Sequence, residues 1–304
     1  MMQTPMRTTH QSSPKRNPGP WALSCLFALS LAVHAAPLKV MVSILPQQYF
    51  VERIGGDRVE ARTLVQPGQD PHIFEPSPRQ MVFLSEADVF FRIGMEFEEG
   101  LMPRLQSVVP DLKVVDLRDG IELMPMACEA DGHEHGHAND HDMPDPHTWT
   151  DPALALQQAR LIAETLSKLD PDGQATYASN VRRLEQDLTE LQTQLKEAFA
   201  AMPGRAFMVY HPSWGYLAHS LGLEQISIEV SGKAPGARQL VRIIDRARAE
   251  GIRVIFVQPQ FDQRAAERIA AAIGGVVIPL DPLAYDYIAN METVAAEIRK
   301  AIEP

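Results

Sequence analysis

From Leu38 onward, short apolar runs alternate with stretches whose apolar residues recur every three or four positions. Lys39 to Leu45 predicts a buried strand, Gln47 to Ile54 a helix and Val59 to Val65 a second strand. Pro78 to Glu86 and Glu98 to Leu105 carry helical periods. Between them Ala87 to Ile93 predicts a strand that ends at Gly94, and Lys113 to Leu117 predicts another. A second series of strands is expected at Ala206 to Tyr210, Gln225 to Val230, Arg253 to Val257 and Val276 to Leu280. Its helices are expected at Ala237 to Ala249, Gln263 to Ala272 and Met291 to Ile302. Strands alternating with helices predict parallel sheets covered on both faces.

Between the two series, Tyr177, Val181, Leu184, Leu188, Leu191, Leu195 and Phe199 form a single helical stripe. A helix from Gln174 to Ala200 would be roughly 40 Å long, enough to run along a two-lobed molecule and join the lobes stiffly. Asp151 followed by Pro152 announces another helix, with Leu154, Ala155, Ala159, Ile162 and Leu166 on its apolar face. The expected fold is therefore α/β, with two lobes of mostly parallel sheet joined by one long connecting helix. The expected boundaries are an N-terminal lobe at 36–170, the connecting helix at 171–203 and a C-terminal lobe at 204–304.

The N-terminus has a different pattern. Arg7, Lys15 and Arg16 precede an apolar run from Trp21 to Val33, and Val33-His34-Ala35-Ala36 fits small-residue cleavage, so residues 1–35 predict an export signal. The run is too short to span a bilayer, no later segment is long and apolar enough to do so, and the mature protein is expected in the periplasm. Cys25 follows Ala22-Leu23-Ser24, a weak match to a lipoprotein site, but cleavage there would leave almost no apolar run before it. Removal of the signal leaves Cys128 alone, so no intramolecular disulfide is expected. A net charge of −11 argues against nucleic acid as a partner.

Candidate chemistry lies in short segments at the ends of these elements. Asp70-Pro71-His72, Asp145-Pro146-His147 and Tyr210-His211-Pro212 each present a histidine after a turn, and Asp281 stands directly after the strand that ends at Leu280. In open α/β sheets ligands bind beyond the carboxyl ends of the strands, which is where His211 and Asp281 fall. Proline before each of the first two imidazoles restricts the backbone and suits a metal ligand. Three imidazoles and one carboxylate form a nitrogen-rich set that fits zinc, whereas calcium or magnesium would need mostly oxygen. A separate tract from Asp131 to Asp142 carries His133, His135, His137 and His141 among glycines and acids, a composition common in auxiliary metal binding.

Taken in order, several segments resemble the zinc branch of the metal-binding solute receptors of ABC importers, the ZnuA-like proteins. They are Asp70-Pro71-His72-Ile73-Phe74-Glu75-Pro76, Asp145-Pro146-His147-Thr148-Trp149, Tyr210-His211-Pro212, Gly236-Ala237-Arg238-Gln239-Leu240, Pro259-Gln260-Phe261 and Leu280-Asp281-Pro282-Leu283. The resemblance covers nearly all of the mature chain. It implies metal held between two lobes, with His72, His147, His211 and Asp281 as ligands of Zn2+. It also implies an ABC-importer permease with its cytoplasmic ATPase as partner and a capture or sensing role for the His-rich loop. Manganese receptors of the family generally have a carboxylate where this chain has His211, so Mn2+ is the lesser expectation.

Two departures stand out: Gln258 occupies a position where many members have Glu, and the disulfide of some relatives is absent. A monomeric receptor and no enzyme is expected. The competing readings are a manganese or iron receptor of the same family, an adhesin with a structural metal, and a secreted zinc hydrolase using Glu75 or Glu229 as base. The hydrolase reading is disfavoured because four protein ligands close the shell that catalytic zinc keeps open, and because no His-Glu-x-x-His segment is present.

Overall fold

A computed structural model describes residues 1–2, 36–126, 144–229 and 233–303. The signal read at 1–35 (beyond its first two residues), Cys128 and the tract with His133, His135, His137 and His141 lie outside the described residues. Among the described residues, no helix is long and apolar enough to cross a membrane.

Each lobe is built on one four-stranded sheet. The first contains β1 (Leu38–Val42), β2 (Val59–Thr63), β3 (Val89–Arg92) and β4 (Lys113–Asp116), in the order β2-β1-β3-β4. The second contains β5 (Ala206–Val209), β6 (Glu224–Ser227), β7 (Val254–Val257) and β8 (Val276–Pro279), in the order β6-β5-β7-β8. Every pairing within both sheets is parallel, so the same winding occurs twice. Helices cover both faces, which is why the inner strands are apolar on both sides. Val40, Met41 and Val42 of β1 and Ile255, Phe256 and Val257 of β7 are buried.

The helices of the first lobe are α1 (Leu45–Gly55), α2 (Pro78–Ser85), α3 (Glu96–Val108) and α4 (Pro152–Leu169). Asp151 caps α4 as its sequence predicts, accepting from the amides of Ala153 at 2.6 Å and Leu154 at 3.3 Å. The long helix α5 (Gln174–Phe199) has 26 residues, about 39 Å at the usual rise. Tyr177, Leu184, Leu188, Leu191, Leu195 and Phe199 are its buried stripe. Beyond it come α6 (Gly215–Leu221), α7 (Ala237–Ala249), α8 (Arg264–Ile273) and α9 (Tyr287–Ile302). Seven-residue α6 leaves no signal in the sequence, because a helix of barely two turns does not display a 3.6-residue period. Helix α9 starts earlier than its apolar stripe suggests, with the Asp286 side chain accepting from Ala289 N.

The long helix packs on α1 and α4 of the first lobe and on α9 and α6 of the second. One continuous apolar cluster therefore runs from the first sheet through α5 and α9 to Phe207, Val209, Trp214 and Leu280 of the second lobe. A smaller cluster fills the far side of the second sheet beneath α7 and α8. Polar ties reinforce the junction: Trp149 Nε1 donates to Pro282 O at 2.8 Å, Tyr287 OH to Trp149 O at 2.8 Å, and Tyr216 OH to Asp145 O at 2.9 Å. Lobes that share a core resist separation, since opening them would expose apolar surface.

Candidate metal centre

The carboxyl ends of both sheets converge on one small cavity. His72 lies in the loop after β2, His147 in the connection after β4, and His211 two residues beyond β5. Their ligand atoms all lie within 4.8 Å of one another, and no other group of this kind occurs among the described residues. His211 Nε2 and His147 Nε2 are 3.3 Å apart. Two nitrogens bound tetrahedrally at zinc–imidazole distances are separated by roughly the same 3.3 Å.

Local sequence explains how these rings are held. In Asp70-Pro71-His72 and Asp145-Pro146-His147 the Asp Oδ1 accepts from the His amide two residues on, at 2.9 Å in both. Asp281-Pro282-Leu283 repeats the turn, with Leu283 N donating to Asp281 Oδ1 at 2.9 Å. Proline and the Asx turn together leave the chain little freedom at all three places.

A carboxylate faces the outer nitrogen of every ring. His72 Nδ1 lies 3.0 Å from Glu96 Oε2, His147 Nδ1 2.6 Å from Asp145 Oδ1, and His211 Nδ1 3.1 Å from Glu229 Oε2. Such a partner holds the proton on Nδ1 and directs the Nε2 lone pair inward, the arrangement that metal-binding imidazoles adopt. His72 Nε2 is buried without a hydrogen-bond partner. With the Nε2 lone pairs of His147 and His211 facing each other, a cation between them relieves their repulsion.

Electrostatics distinguish the rings. Burial pulls the His72 imidazole down, but the hydrogen bond and charge of Glu96, aided by Asp70 and Glu229, outweigh it and hold the group above its ordinary 6.5. Burial lowers His211 to about 4 against the opposing hydrogen bond from Glu229, with the charges of His72 and His147 adding to the fall. Burial raises Glu96, but the hydrogen bond and charge of His72 prevail and keep its carboxyl below the usual range. Glu96 is 39% exposed and His72 17%, whereas the His147 and His211 side chains are buried, so the cavity is approached past His72.

The remaining wall is mostly apolar: Pro71, Trp149, Phe261, Pro282 and Leu283 surround a space of about 10 Å3. Phe261 stacks on His211 at 4.9 Å between centroids, with the planes inclined by 21°. Asp281 lies outside the group formed by the three histidines. Its Oδ1 accepts from Gln260 Nε2 at 2.8 Å, and Gln260 lines the cavity.

Glu96 was not singled out from sequence; the available signal was its place just after β3, where Gly94 turns the chain with φ of 85°. Glu229, one candidate base of the hydrolase reading, is engaged with His211, and Glu75, the other, is exposed and does not line the cavity. Gln258 is more informative. Its Nε2 donates to His211 O at 2.7 Å and to Ser213 Oγ at 3.1 Å, while its Oε1 accepts from His211 N at 3.3 Å. An amide both donates and accepts, whereas an ionised Glu would place an oxygen against the His211 carbonyl. Gln258→Leu is expected to lower zinc affinity about 10- to 100-fold, as loss of an outer partner usually does. Chelator-competition titration checks this, and an affinity within twofold of wild type would show that His211 keeps its position unaided.

The comparisons agree with this geometry. The profile of ZnuA, described as zinc-uptake complex component A periplasmic, matches residues 40–301. The high-affinity zinc uptake system protein ZnuA of Paracoccus denitrificans is 30% identical over 298 residues, covering 85% of this chain and 89% of that protein. The manganese-binding lipoprotein MntA of Halalkalibacterium halodurans is 28% identical over 225 residues, covering 73% of this chain and 71% of that one. A crystal structure of ZnuA matches with a TM-score of 0.81 and 38% identity, covering 88% of this chain and 100% of the other. The family match over residues 40–301, together with two parallel sheets wound alike, places the chain in the ZnuA family of periplasmic zinc-uptake components.

Proposed function

We propose that this protein captures Zn2+ outside the cytoplasm, holds it between its lobes and delivers it to the permease of an ABC-type importer driven by a cytoplasmic ATPase. His72, His147 and His211 supply Nε2 donors and Asp281 the fourth donor. The histidines of the 131–142 tract, His133, His135, His137 and His141, add weak outer sites that raise the local zinc concentration. One observation carries the reading: three converging imidazoles, each with a carboxylate on its outer nitrogen.

The likeness to MntA raises manganese as cargo. Three nitrogen donors favour zinc, because manganese prefers oxygen-rich shells and binds nitrogen sites more weakly. A zinc hydrolase fits poorly, since about 10 Å3 bounded by Trp149, Phe261 and Pro282 admits an ion stripped of its water but no organic substrate.

Elemental analysis of mature protein purified from the periplasm, followed by metal competition, tests the proposal. One tightly held zinc per chain is expected, preferred over manganese by about three orders of magnitude or more. Retention of manganese in preference to zinc, or a bound water in the X-ray absorption spectrum of the zinc form, would overturn it.

A further inference from the structure

Gln260 has no part in the proposed function above, yet it stands between the cavity lined by the histidines and Asp281, which it bonds. It follows β7 in Pro259-Gln260-Phe261, so its neighbour Phe261 is the ring stacked on His211. Its side chain lines the same cavity as His72, His147 and His211. Nε2 donates to Asp281 Oδ1 at 2.8 Å, and Oε1 is buried with no hydrogen-bond partner. The orientation of the amide is settled by chemistry: a carboxylate oxygen accepts, so the NH2 end must face Asp281 and the carbonyl end is the one left unpaired.

A buried unpaired carbonyl is unfavourable, and a side chain present only to fill space would carry no such group. The amide is accounted for if its donor end has a task and its acceptor end gains a partner once a cation is present. The first condition is met here. Asp281 Oδ1 already accepts from Leu283 N at 2.9 Å in the Asx turn, and Gln260 adds the second bond to that same oxygen. With one carboxylate oxygen committed twice, the other is left to approach the ion. The unpaired Oε1 is the negative end of an amide that lines a cavity built for a positive charge.

We infer that Gln260 is the positioning residue of the oxygen side of the site: it fixes Asp281 by Oδ1, so that a single oxygen of this carboxylate completes the shell of three imidazoles. The inference rests on the zinc-receptor reading. It also bears on selectivity, because a manganese ion needs several oxygens and a carboxylate held at one oxygen offers only the other.

The test uses Gln260→Leu and Gln260→Ala beside Asp281→Ala and the double variant Gln260→Leu/Asp281→Ala in the full mature chain. Zinc affinity is measured by chelator competition and the donor set by X-ray absorption. Gln260→Leu is expected to weaken zinc about tenfold and to lose or broaden the oxygen contribution while three nitrogens remain. If Gln260 acts through Asp281, the double variant binds zinc no more weakly than Asp281→Ala alone. Additive losses in the double variant, or wild-type affinity with an intact oxygen shell in both Gln260 variants, would overturn the inference. Gln260→Ala serves where the leucine disturbs folding. Failure of the wild-type protein itself to hold zinc would instead overturn the receptor reading, so the two failures are distinguishable.

Discussion

Replacing His211 with alanine is expected to weaken zinc binding by about a thousandfold, more than the 10- to 100-fold typical of losing an outer partner. The ring supplies one of the three converging nitrogens, and its Nε2 already stands 3.3 Å from that of His147, the spacing an ion between them requires. The loss has a thermodynamic readout. At free zinc about 1,000 times the wild-type Kd, binding stabilises the native protein by about 4.1 kcal/mol, and a thousandfold weaker variant at the same zinc retains only about 0.4 kcal/mol. Thermal unfolding with and without zinc should therefore show a large shift in wild type and almost none in His211→Ala. The variant also leaves Glu229 buried without its imidazole, which is expected to cost the metal-free protein about 1–3 kcal/mol. Zinc affinity within tenfold of wild type in a folded His211→Ala protein would remove the ring from the site.

Much of this architecture was legible in the chain because its signals are local. An apolar run such as Val40-Met41-Val42 reads as a buried strand, and the stripe from Tyr177 to Phe199 reads as one helix, because each reports burial through its own periodicity. Asp-Pro-His was legible for a related reason: the proline is visible in sequence, and the Asx turn it accompanies spans only two residues. Position after a strand pointed to His211, which the structure brings to the cavity, and to Asp281, which lies outside the three-histidine group.

Less was legible wherever a partner comes from a distant segment. Glu96 pairs with His72 because the loops after β2 and β3 meet above the first sheet, and neither loop alone encodes that meeting. Gln258 grips His211 across the β5–β7 pairing, and the choice of amide over carboxylate gains meaning only once both a carbonyl and an amide of His211 lie within its reach. The two lobes also differ at equivalent places. At the switch between β1 and β3 the crevice holds the buried carboxylate of Glu98, which accepts from Ser43 Oγ at 2.5 Å, Ile93 N at 3.0 Å and Gly94 N at 2.6 Å. At the switch between β5 and β7, His211 and Gln258 occupy it instead. The same winding thus places a buried carboxylate at the switch of one lobe and an imidazole at the switch of the other, and Glu98 bonds the turn at Gly94 that leads to Glu96.

Zinc affinity should fall as the pH is lowered from 7 to 5, with His72 contributing to the fall and His211 not. A metal ligand must lose its proton before it binds, so a group protonated in the metal-free protein competes with zinc, and one already neutral does not. Glu96 holds His72 above 6.5, so its proton is taken up from the start of that window, whereas burial keeps His211 neutral until about pH 4. The sign follows directly: lowering the pH stabilises the metal-free form through His72 and weakens apparent binding by up to about tenfold per pH unit for one linked proton. His211 contributes no proton in this range. The contrast between His72 and His211 arises from one half-exposed carboxylate beside His72 and a buried wall around His211. Calorimetry in buffers of different ionisation enthalpy counts the protons released per zinc. In His72→Ala the count at pH 6 should drop by about one and the pH dependence should flatten, while His211→Ala should lose affinity with the count unchanged. A lowered count in His211→Ala, together with an unchanged one in His72→Ala, would reverse the assignment and place the proton-linked ring in the buried half of the site.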